Sequence, residues 1–253
     1  MRCVHEGVVV RLESSRFDAT DFVATLTHPL SEYVYGVTLP AHAAMFTRLY
    51  MEKYGVTERH LAMVAVKNQN QAMANEFAHL HQTITIEGIL DSPEAMTNNP
   101  YVAEPLRFFD CCPVSDGGAC LLLASADVMA RVDRPRVRLA GVGQATDCHA
   151  VAERADPTEL TAVRLAAERS LAMAGYSPAD VDVAELHDAF TIEEILYAEA
   201  MGLCVREKPR RSLLQENSIS AAAAPSVHPA VYCPWAIPPV PPAPDRSLKS
   251  PAN

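Results

Sequence analysis

The order of apolar and polar positions predicts four helices and three strands. Residues 40–54 open on Pro40, put Met45, Leu49 and Tyr50 on one face and stop at Gly55, the punctuation of a helix. Thr57-Glu58 starts a second helix that can extend through residues 61–66. The polar run that follows, KNQNQAMANEFAH (67–79), reads as a long solvated excursion. Residues 119–124 (ACLLLA) are an unbroken apolar run after Asp116-Gly117-Gly118, as expected of a strand covered on both faces. Residues 136–142 (RVRLAGV) predict a second strand. Asp156-Pro157-Thr158-Glu159 opens a third helix, whose positions Leu160, Val163, Ala167, Leu171 and Ala174 recur every three or four residues before Gly175. Residues 181–186 form the third strand and 189–201 the fourth helix, ended by Gly202. Strand and helix alternating at these lengths imply βαβ units and a layered α/β fold.

That pattern ends near residue 203. All ten glycines lie at or before Gly202, whereas ten of the nineteen prolines follow it. Residues 221–251 hold no period that could pack, so they read as a disordered or polyproline II tail. The globular part is expected over about residues 16–202.

The chain has 253 residues and 49% apolar content, enough for one large domain or two ordinary ones. Only 6% is aromatic, so aliphatic side chains must fill the core. A formal charge of −10 argues against a general nucleic-acid or anionic-membrane binder. No apolar run approaches the roughly 18 residues of a membrane span. The charged start (MRCVHEGVVVRLESS) does not read as a secretory leader, and a cytoplasmic location is expected. Seven cysteines without a CxxC pair suit reduced thiols better than disulfides or zinc, and the nine histidines suggest no metal site.

Candidate chemistry concentrates at Glu185-Leu186-His187-Asp188-Ala189-Phe190, where a strand end meets a helix start. Backbone N–H groups and the positive end of a helix dipole converge at such a place. A histidine there could help hold an oxyanion or a thioester carbonyl. On local grounds alone, a helix cap or a core hydrogen bond is the simpler reading of His187. Cys111-Cys112 before Pro113 could supply a thiol nucleophile, but no base stands near it in sequence.

Several blocks together resemble the thiolase superfamily, and within it the sterol-carrier-protein-type and archaeal-type branch. They are Tyr35-Gly36-Val37-Thr38 with Pro40, YMEKYG (50–55), VAVKN (64–68), PLRFFDCCPVSDGGACLLLAS (105–125) and ELHDAFTIEEILYAEAMGL (185–203). The HDAF form of the last block points to that branch. The resemblance implies a layered α/β fold of two βαβαβαββ halves with a loop domain inserted in the first. On that map residues 1–130 hold the loop domain and the end of the N-terminal half. Residues 131–203 open the C-terminal half, and 204–253 are the Pro-rich tail.

The implied activity is acyl transfer between coenzyme A thioesters, by thiolysis or Claisen condensation, with the thioester as substrate and no separate cofactor. His187 takes the oxyanion-hole position, Phe190 a position near the pantetheine tunnel, and Cys112 a small polar position near the thioester. The implied partners are acyl-CoA and a second thiolase chain, as a homodimer or a larger thiolase-type complex. The family mechanism also needs a nucleophilic Cys, a GHP His and a C-x-G Cys, and none of these is found here. The chain as written is therefore expected to be an incomplete thiolase that does not turn over. The alternative is a non-catalytic thiolase-like subunit that binds acyl-CoA or pairs with a catalytic one.

Codon constraints bear on the tail. If the frame after about residue 218 lies one base upstream, each codon joins the last base of one residue to the first two of the next. Tyr232-Cys233 must then read Leu, Trp235-Ala236 must read Gly, and Ala236-Ile237 permits His. From His228 to Ala243 the permitted string includes S-G-G-L-L-S-x-G-H-P-x-G-A-T-G, which resembles the missing thiolase segment. A frame shift between Gly202 and Ile219 is thus expected, in preference to a true Pro-rich tail. A proline-groove ligand at Pro238-Pro239-Val240-Pro241-Pro242 is a weaker alternative.

Overall fold

The Thr38 hydroxyl accepts the backbone N–H of Ala41 at 3.4 Å and opens α1 (Leu39–Tyr54). Gly55, at φ +74°, closes it by returning its N–H to the Met51 carbonyl at 2.8 Å. The structure, a computed structural model, describes residues 27–113, 121–133, 137–204 and 231–232. α2 (Glu58–Ala72) starts on Thr57, whose N–H donates to His60 Nδ1 at 2.9 Å. It runs on through residues 67–71, which are helical and not the loop expected. Burial of Leu61, Ala62, Ala65 and Ala72 keeps its period going.

After a π-turn (Glu87–Asp91), β1 (Tyr101–Ala103) pairs antiparallel with β2 (Leu106–Arg107). Further on come α3 (Thr161–Ala174), β3 (Ala184–Glu185) and α4 (Thr191–Ala200). Gly175 and Gly202 end α3 and the turn after α4 in the left-handed conformation, as their positions predict. β3 pairs parallel with β4 (Val231–Tyr232), Ala184 opposite Val231. That strand lies within the tail expected to contain none; the other residues of 205–253 lie outside the described set.

Two predicted strands are not formed. Residues 119 and 120 are outside the described set, and 121–124 are irregular apart from a bridge at Leu123. Leu122 is 81% exposed, not covered on both faces. Of the strand expected over 136–142, residue 136 is outside the described set, and 137–142 are irregular, with Val137 98% exposed. An apolar run shows that a strand needs cover; it does not say that the same chain provides it. The 181–186 strand shrinks to β3, although Ala184 and Leu186 are buried. α3 follows its predicted period, but its apolar face is only half-buried. The segment before it does reach that helix closely. A Cβ at Gly141 would sit on the Ser170 carbonyl oxygen, and one at Gly143 on that of Ala166.

The main core joins α1, α2, β2 and α4 through Ala43, Tyr50, Leu61, Leu106, Ile192 and Leu196. A second cluster packs Ala62, Met63 and Ala65 of α2 on Ile84, Ile86 and Ile89. A third holds β3 to α4 through Ala184, Leu186, Ala198 and Leu203.

A polar tie crosses the main core. Asp110 accepts the Arg107 N–H at 2.9 Å and the Thr191 hydroxyl at 2.8 Å. Burial pushes its carboxyl up from 3.8 to about 6, against the lowering effect of those two donors. The folded value lies above the unfolded one, so the folded state holds an extra proton between them. The stability this gives is complete below pH ~4 and is lost as pH rises through about 6.

Asp110→Asn is therefore expected to gain stability relative to the wild type between pH ~4 and ~7, by up to about 3 kcal/mol in urea unfolding. A difference that stays flat with pH would contradict the buried carboxyl. In the same assay Leu106→Ala should cost about 2–5 kcal/mol, while Leu122→Glu should stay within about 0.5 kcal/mol. Comparable losses at both positions would mean that Leu122 is covered.

Candidate functional site

Two stretches far apart in sequence meet by their backbones. Cys111 forms an antiparallel bridge with Phe190, and the Cys112 N–H donates to the Ala189 carbonyl at 2.9 Å. The Asp110–Thr191 hydrogen bond lies directly beside this pairing. α2 closes the third side with its last turn. Lys67 pairs with Glu194 at 2.7 Å, and Asn68 donates its amide to Glu194 at 2.9 Å and to Asp188 at 3.5 Å. Glu194 is buried. Two charge-assisted partners make that burial tolerable.

These elements line a shallow, solvent-open groove of about 110 Å³, among others through Asn68, Gln69, Phe109, Cys112, Asp188 and Thr191. Of the residues expected at a site, Cys112 lines this groove and is exposed. Phe190 is 7% exposed and packs in the main core with Ile192 and Leu196. His187 is also outside the groove lining. Its side chain is 68% exposed, with Nε2 3.8 Å from Glu193 Oε2 and its ring edge-on to Tyr197 at 6.2 Å. The structure thus brings Cys112 and the HDAF backbone together but turns the His187 ring along α4.

The thiols do not suit nucleophilic work. Burial, then Asp110 and Cys112, pushes Cys111 up to about 12. Cys112 is exposed as a residue, but partial enclosure of its sulfur in the groove wall, then the charges of Asp188 and Glu193, raise it as well. The thiolate is the reactive form, and both environments oppose it. Among the described residues no cluster of three His, Cys, Asp or Glu could hold a metal.

Lys67, Asn68, Glu193 and Glu194 were not singled out by sequence. The helical period through Leu61, Ala65 and Ala72 could have carried Asn68 onto the buried face of α2. The burial of Glu194 had no such signal, because a charged residue in a first helical turn is ordinarily solvated. Glu193 is more unusual. Burial raises its carboxyl to about 7, with the backbone N–H groups of Phe190 and Ala189 pulling it down and Asp188 adding to the rise.

Comparison with known proteins bears on what this groove is. Residues 13–127 match the family model described as thiolase, N-terminal domain, and residues 143–223 that of the thiolase C-terminal domain-like family. The chain is 36% identical over 185 residues to an acetyl-CoA acetyltransferase of Methanothermobacter thermautotrophicus, covering 73% of this chain and 46% of that protein. It is 33% identical over 215 residues to an acetyl-CoA acetyltransferase of Methanocaldococcus jannaschii, covering 84% of this chain and 53% of the relative. It therefore spans about half the length of these relatives. Among solved structures, an Ltp2-ChsH2(DUF35) aldolase superposes with a TM-score of 0.70 at 25% identity, over 91% of this chain and 59% of that one. No helix among the described residues is long and apolar enough to cross a membrane. The two family matches fall on either side of the backbone pairing that builds the groove, and the chain belongs to the thiolase superfamily, with its α/β thiolase-like fold.

Proposed function

We propose that this chain forms part of a site for acyl-CoA thioesters, in a protein that makes or breaks a bond at the acyl group by thiolysis or Claisen condensation. The observation that carries the reading is the groove in which Cys112 and the Ala189–Phe190 backbone meet under the end of α2. The groove is of a size to take the small acyl end of such a thioester rather than the whole pantetheine arm. Cys112 offers a small polar wall beside the thioester, Phe190 supports that wall from the core, and His187 reaches the carbonyl after a ring rotation. The names of the relatives, acetyl-CoA acetyltransferases, support that substrate class.

The division into residues 1–130, 131–203 and 204–253 belongs to the same proposal. So does the expectation that these 253 residues alone neither thiolyse nor condense, because the frame as written holds no GHP or C-x-G segment. A second reading is a non-catalytic subunit that pairs with a catalytic one. The uncovered apolar residues Leu122 and Val137 favour it, as does the name of the structural neighbour, which describes an assembly of two proteins.

Calorimetric titration with acetyl-CoA is expected to show saturable binding. His187→Ala should weaken it about tenfold, the equivalent of one hydrogen bond. Cys112→Trp should abolish it by filling the groove. An assay of acetoacetyl-CoA thiolysis by the chain alone should show none. Turnover by the chain alone would contradict the incomplete-site reading, and absence of acetyl-CoA binding would contradict the substrate class.

A further inference from the structure

The groove in which Cys112 meets α4 carries charge of one sign. Asp188 and Asp110 belong to its lining, and no Lys or Arg does among the described residues. Lys67, next to Asn68 on α2, stays out of the lining and pairs with the buried Glu194 at 2.7 Å. Donors of the wall are committed to carboxylates. Asn68 gives its amide to Glu194 at 2.9 Å and to Asp188 at 3.5 Å, and Thr191 gives its hydroxyl to Asp110 at 2.8 Å. Asn68 Oδ1 is left buried with no hydrogen-bond partner among the described residues, one more acceptor in the wall.

We propose that Asp188 makes this groove selective by charge: it admits uncharged acyl groups and turns away acyl groups that end in a carboxylate. The consequence for substrates rests on the acyl-CoA reading above. A carboxylate entering the groove would lose water and meet like charge, with no Lys or Arg of the wall to answer it. An acetyl group or a short hydrocarbon chain has no charge to desolvate. The phosphates of coenzyme A do not enter into this discrimination, because they are common to every acyl-CoA.

The Cys112 thiol responds to the same field. Partial enclosure of its sulfur raises it, and the charges of Asp188 and Glu193 push it further in the same direction. Glu193 stands 3.8 Å from His187 and neither belongs to the lining, so Asp188 is the carboxylate on α4's side that a ligand meets. His79 is exposed and is, among the described residues of the lining, the side chain that can become a cation. At pH ~8 imidazole is ordinarily neutral, so the discrimination is read there.

Two readouts on the 253-residue chain test this. Calorimetric titration at pH ~8 compares malonyl-CoA with isovaleryl-CoA, which differ only in a carboxylate against an isopropyl group of similar shape. Malonyl-CoA is expected to bind about tenfold more weakly or worse. Asp188→Asn should narrow the gap to about threefold or less. If that variant does not fold, Gln69→Lys, which adds a cation to the same wall, carries the comparison with the same expected narrowing. Equal binding of the two esters by the wild type, or a gap that the folded variant leaves unchanged, overturns the proposal. Alkylation of Cys112, read by peptide mass spectrometry, probes the groove without any coenzyme A ester. The ratio of its rates with iodoacetamide and with anionic iodoacetate should be roughly fivefold higher than for free N-acetylcysteinamide, and Asp188→Asn should remove most of that excess. A ratio no higher than that of the free thiol overturns the charge selection. Failure of both esters to bind would overturn the acyl-CoA reading, while the alkylation ratio would still decide whether the groove turns anions away.

Discussion

The Asp110 carboxylate, held out of water between the Arg107 N–H and the Thr191 hydroxyl, joins residues 81 positions apart. A buried carboxyl without partners would be costly, so this one dictates what lies beside it. It requires Thr191 at the start of α4, which brings Phe190 and Ala189 against Cys111 and Cys112. The backbone bridge and the groove follow from that contact. Leu106, Ile192 and Leu196 are buried on the same joint, so apolar packing and the polar tie specify one arrangement.

This joint explains which parts of the fold were legible in the sequence. Helices announce themselves locally: Gly55, Gly175 and Gly202 each sit where a left-handed turn ends or follows a helix, and α1, α3 and α4 fall where their periods put them. The end of α2 was missed because residues 67–71 are polar. The partners of Lys67 and Asn68, Glu194 and Asp188, come from a segment more than a hundred positions away, and no local pattern encodes such a pairing. The strand readings at 119–124 and 136–142 do not hold over their described residues, where Leu121, Leu122, Val137 and Leu139 are exposed. Their cover would have to come from neighbouring strands, and the described residues contain only two short two-stranded sheets.

The site was legible to a similar degree. Cys112 and the Ala189–Phe190 backbone are adjacent, although nothing in their spacing would bring them together. The orientation of His187 was not legible, because it depends on a side-chain rotamer that no sequence pattern fixes. Sequence placed a donor and a helix N-terminus at one spot. The structure adds an acid beside that spot, with Glu193 Oε2 3.8 Å from His187 Nε2.

Native-state hydrogen exchange tests most directly whether the two blocks form one unit. The Cys112 amide, bonded to the Ala189 carbonyl, should open with the same free energy and the same denaturant dependence as the amide of Leu196 in α4. That result would show that the 107–112 segment and α4 unfold together. A Cys112 amide exchanging at the rate of an unstructured peptide, while Leu196 stays protected, would separate the two blocks and remove the groove on which the functional account rests.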